Sequence, residues 1–152
     1  MFMVLAMAAS LTAAGCGGSD DSAEAAPPIA KAAFIKQANA ICVKVTQKRL
    51  APAFKTLLSE YAKAEGDEQK VKQVEVEYVT GTLVPIVQAM VDEIRAAGLP
   101  RGDEKKANEI LDSYQEAIDE AEENPEDYPQ KVNFAKARGL AQGFGLTSCK
   151  IS

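Results

Sequence analysis

The 152-residue chain contains no histidine and no tryptophan. Without histidine there is no Ser-His-Asp or Cys-His catalytic set, no imidazole metal ligand and no haem attachment through C-x-x-C-H. Phosphate-cradling glycine loops are missing as well. Neither G-x-x-x-x-G-K nor G-x-G-x-x-G occurs, and Gly143 and Gly145 stand alone. No C-x-x-C is present, so thiol exchange lacks its usual motif. Charge of one sign is absent by region. Residues 1–19 carry no charge at all, and residues 25–59 hold no Asp or Glu while carrying Lys31, Lys36, Lys44, Lys48, Arg49 and Lys55. Residues 103–127 reverse this, with eleven acidic side chains against Lys105 and Lys106. These runs read as solvated helix faces that attract each other as neighbours; the sharper alternative is a basic surface facing anionic headgroups. The net charge of −5 argues against a nucleic-acid partner, which calls for a basic excess.

What is present begins with MFMVLAMAASLTAAGC. The apolar run from Phe2 to Ala14 is broken only by Ser10 and Thr12. It is short for a membrane span of ~20 residues and fits the ~7–15-residue apolar region of a signal peptide. Small residues Ala13, Ala14 and Gly15 then abut Cys16. The segment LTAAGC resembles the lipobox of bacterial lipoproteins. That resemblance implies that residues 1–15 are removed, that the Cys16 thiol carries a diacylglyceryl group, and that the protein sits on the extracytoplasmic face of the cell membrane. Two acyl chains suffice for stable anchoring, each methylene contributing about 0.8 kcal/mol. An ordinary secretory signal cut after Ala14, leaving Cys16 free, is the other reading. The following GGSDDSAEAAPP has too few large apolar side chains for a core, so residues 16–30 read as a flexible tether.

Residues 31–152 are the size of one domain of about 120 residues. No second apolar run in the chain suggests a span. With Cys16 lipidated, Cys42 and Cys149 remain, and export to an oxidising compartment makes a disulfide between them the simplest inference. Two buried free thiols are the alternative.

Apolar residues recur with helical period. Phe34, Ala38, Ile41 and Val45 define one face of a first helix, with Cys42 at its flank. Pro52 is expected to kink or end it, after which Phe54, Leu57, Leu58 and Tyr61 repeat the spacing. Gly66 breaks the pattern and Asp67 is a natural N-cap. Residues 74–87 are ambiguous. Val74, Val76 and Tyr78 alternate as in a strand, with a possible hairpin turn at Thr80-Gly81. Yet Val79, Leu83, Ile86, Val87, Met90 and Ile94 keep helical spacing. Helix is the preferred reading, distorted near Gly81 and Pro85, because a lone hairpin is marginal. Gly98 and Pro100 close that helix and Asp103 caps the third, which buries Ala107, Ile110, Leu111, Tyr114, Ala117, Ile118 and Ala121. Pro129 suits the first turn of a fourth helix, buried through Val132, Ala135, Leu140 and Phe144 and ended by Gly145. The expected fold is all-α: an antiparallel bundle of about four helices closed by one disulfide.

FIKQANAIC, then VPIVQAMVDEIRAAGLPRGDEKKANEILDSYQEAIDEAEENPEDY, then NFAKARGLAQGFGLTSC together resemble small lipoproteins of actinobacteria. The resemblance implies an exported helical domain with its two cysteines paired, and no activity.

Carboxylates are the remaining chemistry. Glu109, Asp112 and Glu116 share a helix face, but di-iron bundles need Glu-x-x-His pairs and no EF-hand pattern is present, so no metal, cofactor or catalytic residue is assigned. Tyr61, Tyr78, Tyr114 and Tyr128 read as core residues first and as pocket walls second. The expected function is that of a non-enzymatic lipoprotein, serving as a binding or accessory module for another envelope component. The alternative is a carrier of a small apolar ligand between helices, gated near Gly81 and Pro85.

Overall fold

The computed structural model describes residues 26–128, 130–131 and 133–151. Among these residues six α-helices are joined into four rods: α1 (Lys31–Val45) continues into α2 (Ala51–Lys63), α3 (Glu68–Tyr78) continues into α4 (Val84–Ala96), and α5 (Glu104–Glu123) and α6 (Ala135–Phe144) stand alone. The fold is all-α and antiparallel, and residues 74–87 are helix rather than hairpin.

Both joints are π-helical turns, Thr46–Leu50 and Val79–Leu83. Pro52 therefore does not end the first helix. A proline removes an amide and drives its ring against the carbonyl four residues back. The wider turn relieves that clash. In each rod the amide just before the proline reaches back five residues: Ala51 donates to Thr46 O, and Val84 to Val79 O. The distortion expected near Gly81 and Pro85 is the second of these two turns. Asp67 caps α3 as expected, its side chain accepting from the amides of Gln69 and Lys70.

α1, α4, α5 and α6 form the body. Its core holds Phe34, Val45, Leu83, Met90, Ile94, Leu111, Tyr114 and Ile118 at or below 1% exposure. All seven residues expected to face inward from α5 are buried. By length and composition the rod Glu68–Ala96 could cross a membrane, which corrects the expectation that no second segment qualifies. Here its apolar side is spent on neighbours, with Val79, Leu83, Val87, Met90 and Ile94 buried.

Rod length explains the shape. At 1.5 Å per residue the rod over residues 31–63 is roughly 50 Å long and that of 29 residues roughly 43 Å. α5, at 20 residues, and α6, at 10, span only about 30 and 15 Å. They cannot cover both rods, so α2 and α3 leave the body as a two-helix arm. α2 buries only Leu57 and α3 buries nothing. Phe54 and Leu58, expected on the inner face, are 52% and 50% exposed.

The fourth helix departs most from expectation. It starts at Ala135, where Asn133 Oδ1 accepts from the Ala135 amide at 2.9 Å. Its buried side is Ala137 and Ala141, while Ala135 is exposed and Leu140 and Phe144 are half-buried. Pro129 and Val132 lie outside the described residues. Gly145 ends the helix at φ +107° as expected.

The tether also ends sooner than expected. Ile29 pairs with the α4–α5 loop, its amide donating to Leu99 O at 2.8 Å and its carbonyl accepting from the Arg101 amide at 2.7 Å. Gly98 permits this. It sits at φ +89°, and a Cβ there would lie 2.8 Å from Pro27 O. Asp103 occupies the N-cap position of α5 but its side chain caps no amide. Its carboxylate binds Lys31 at 3.0 Å instead, fastening the start of α1 to the start of α5.

Among the described residues the basic and acidic runs form an ion pair only there. Lys44 and Arg49 turn to Glu93 on α4, at 3.2 and 3.5 Å. The acidic face of α5 is served by Arg95 and Lys136, through Asp112 at 3.0 Å and Glu116 at 2.7 Å. Such exposed pairs contribute ~0–1 kcal/mol each.

Candidate binding cleft and disulfide clasp

Cys42 and Cys149 are joined, with Cα atoms 5.0 Å apart and a sequence separation of 107. Cys42 projects from the buried side of α1, beside Met90 Sδ at 3.8 Å. The tail that carries Cys149 is held twice more. Asn39 donates from Nδ2 to Gly145 O at 3.1 Å and accepts at Oδ1 from the Ser148 amide at 2.8 Å. Tyr114 donates its hydroxyl to Cys149 O at 2.9 Å. Asn39 escaped notice in the sequence because a lone asparagine in a helix resembles any solvated polar residue. Cys16 and residues 1–25 lie outside the described residues.

The four tyrosines part company. Tyr114 belongs to the core at 1% exposure. The other three meet where the arm leaves the body. There a cleft of about 190 Å³ is lined by Phe54, Leu57, Tyr61, Glu75, Tyr78, Val79 and Tyr128. α2 supplies Phe54, Leu57 and Tyr61, α3 supplies Glu75 and Tyr78, and Tyr128 follows the 3-10 turn after α5. Val79 opens the second π-turn, so the wall of the cleft is continuous with a joint of the rod.

The polar groups of the cleft are ordered. Tyr61 donates its hydroxyl to Glu75 Oε1 at 3.0 Å. Burial, then this bond to a carboxylate, pushes the Tyr61 phenol up to about 12. Burial does the same at Tyr128, also to about 12, and raises Tyr78. All three phenols are neutral at ordinary pH. Glu75 is the one charged residue lining the cleft, and it enters no ion pair among the described residues. The sequence pattern singles out the tyrosines, places Phe54 in the core and gives Glu75 no role.

Glu109, Asp112 and Glu116 stand on an exposed face. Among the described residues no group of three or more Asp, Glu, Cys or His side chains is arranged to hold a metal. No family model matches the chain at a significant level, and neither does any curated protein or solved structure.

Proposed function

We propose that the protein is a lipid-anchored, extracytoplasmic and non-enzymatic binding module whose recognition element is the arm–body cleft. The observation that carries the reading is that cleft: aromatic walls and one carboxylate held by a phenol, built from three separate elements. Small-ligand sites favour such concave apolar surfaces with few placed polar groups. The absence of histidine supports a non-enzymatic role, since the common acid–base and nucleophile sets need it. The anchor reading rests on LTAAGC and Cys16. It agrees with the position of the cleft: the described chain begins beside the α4–α5 loop, and Phe54 lies roughly 35 Å along the first rod from Lys31. A protein tethered through Cys16 would hold its arm outward.

Two measurements test this. Labelling with a palmitate analogue is expected to mark the wild type and not Cys16→Ser; equal labelling of both refutes the anchor. Native mass spectrometry of protein extracted from the envelope is expected to show a small bound mass that Tyr78→Ala loses. A clean unliganded mass refutes the cleft as a ligand site. An envelope-protein partner is the second reading, favoured by Phe54 and Leu58, which stand one helical turn apart and half exposed on α2.

A further inference from the structure

The cleft is not merely apolar, and its composition narrows the ligand. Phe54, Tyr61, Tyr78 and Tyr128 gather four aromatic side chains around one small space. Aromatic faces carry partial negative charge and attract cations lying over them. Glu75 adds a full negative charge at the wall, and among the described residues no Lys or Arg lines the cleft; Lys150 belongs to the adjoining hollow that shares Phe54 and Tyr78. Tyr61 holds that carboxylate through Oε1, and an ionised carboxylate has acceptor sites for further donors. A neutral apolar ligand would desolvate this carboxylate without replacing its water, which is costly. A cation would compensate it. The volume of about 190 Å³ equals roughly six liquid waters. It lies below the ~300–1,000 Å³ of drug-sized sites, and so suits a headgroup rather than an acyl chain.

We infer that the cleft is an aromatic cage for a small organic cation, of the trimethylammonium or alkylammonium class. This rests on the reading of the cleft as the recognition element and names its ligand chemistry. The cation is recognised by ring faces on several sides and by Glu75 on one. Free alkylammonium compounds and zwitterionic headgroups carry the same group.

The test is calorimetric titration of the full chain in neutral detergent with choline, and with 3,3-dimethylbutan-1-ol, in which carbon replaces the quaternary nitrogen. Choline is expected to bind saturably and about tenfold or more tighter than the neutral isostere. Added salt is expected to weaken choline binding, because screening acts on the Glu75 attraction. Glu75→Gln keeps an acceptor for Tyr61 and the side-chain volume while removing the charge, and is expected to cost about tenfold for choline and nothing for the isostere. Tyr78→Leu is expected to weaken choline by a similar factor; far-UV circular dichroism checks that both variants stay folded. Glycerophosphocholine binding as well as choline assigns the source to a headgroup, and preference for choline assigns it to the free compound. Equal binding of choline and isostere overturns the cation assignment and leaves the cleft reading standing. Binding of neither, with the envelope-derived mass still lost in Tyr78→Ala, also overturns only the assignment. Binding of neither, with no such mass, overturns both.

Discussion

Removing the Cys42–Cys149 bond should destabilise the domain chiefly through its unfolded state, and the size follows from the loop it closes. With 107 residues of separation the chain-entropy relation gives about 4.8 kcal/mol at 25 °C as the ceiling. The folded protein loses little beside the bond itself. Leu146 and Ile151 remain buried at 1% and 2% exposure. Asn39 keeps its two hydrogen bonds to the tail, and Tyr114 keeps its bond to the Cys149 carbonyl. A reduced domain should therefore fold to the same structure, with a stability lower by about 3–4.8 kcal/mol. The freed chain also exposes more surface when unfolded, so the dependence of free energy on denaturant should steepen.

Urea titration followed by far-UV circular dichroism measures both quantities, on the oxidised protein and on Cys42→Ser/Cys149→Ser. Amide exchange adds the local view. The Leu146 amide, bonded to Ala141 O at 2.8 Å, and the Ser148 amide on Asn39 should lose protection before the α4 and α5 amides. The same midpoint and slope in both proteins would refute the reasoning. A lower midpoint with an unchanged slope would place the effect in native contacts instead.

Three further outcomes follow from named contacts. Tyr61, Tyr114 and Tyr128 are raised from 10.0 to about 12, so the folded state keeps phenol protons that the unfolded chain gives up; stability is whole below pH 10 and lost from about pH 10 towards 12, and absorbance at 295 nm should rise together with loss of helix. The hydrogen bond from Lys31 holds the Asp103 carboxyl below its ordinary range, so its contribution is present above that range and lost as pH falls through the lowered value; Asp103→Asn should be less stable than wild type at neutral pH, with the difference vanishing in acid titration. Gly98→Ala places a Cβ at φ +89° and 2.8 Å from Pro27 O, and should cost more than about 1 kcal/mol in urea and expose residues 27–30 to protease.

The sequence was most readable where a helix is long and one-sided. α5 shows this best, because its acidic face and apolar face alternate over 20 residues. α6 was misread by offset: its buried residues are Ala137 and Ala141, too small to stand out beside Leu140 and Phe144. Pro52 states that a regular helix cannot continue, but not whether the chain stops or widens by one residue, and it widens. Phe54 and Leu58 have the same periodicity as buried residues; their exposure depends on how far α5 and α6 reach, which local pattern does not encode. The same gap hid the cleft. The tyrosines were visible one by one, but Glu75 gains meaning only when Tyr61 from α2 is folded against it.

The body and the arm are held together to different degrees, and the difference has a physical reason. The body is over-determined: the disulfide, the Asn39 bonds, the Ile29 pairing and the Lys31–Asp103 pair all tie its elements together. The arm has Leu57 and Ala64 buried and little else among the described residues, so it should open at a lower free energy than the body. The two π-turns mark where the rods pass from one regime to the other. A ligand in a cleft shared by arm and body stabilises only states in which the arm is closed, by RT ln(1 + [L]/Kd). Its signature would therefore be amide protection gained along residues 54–78, at a free energy matching its affinity, while the already slow amides of α4 and α5 change less.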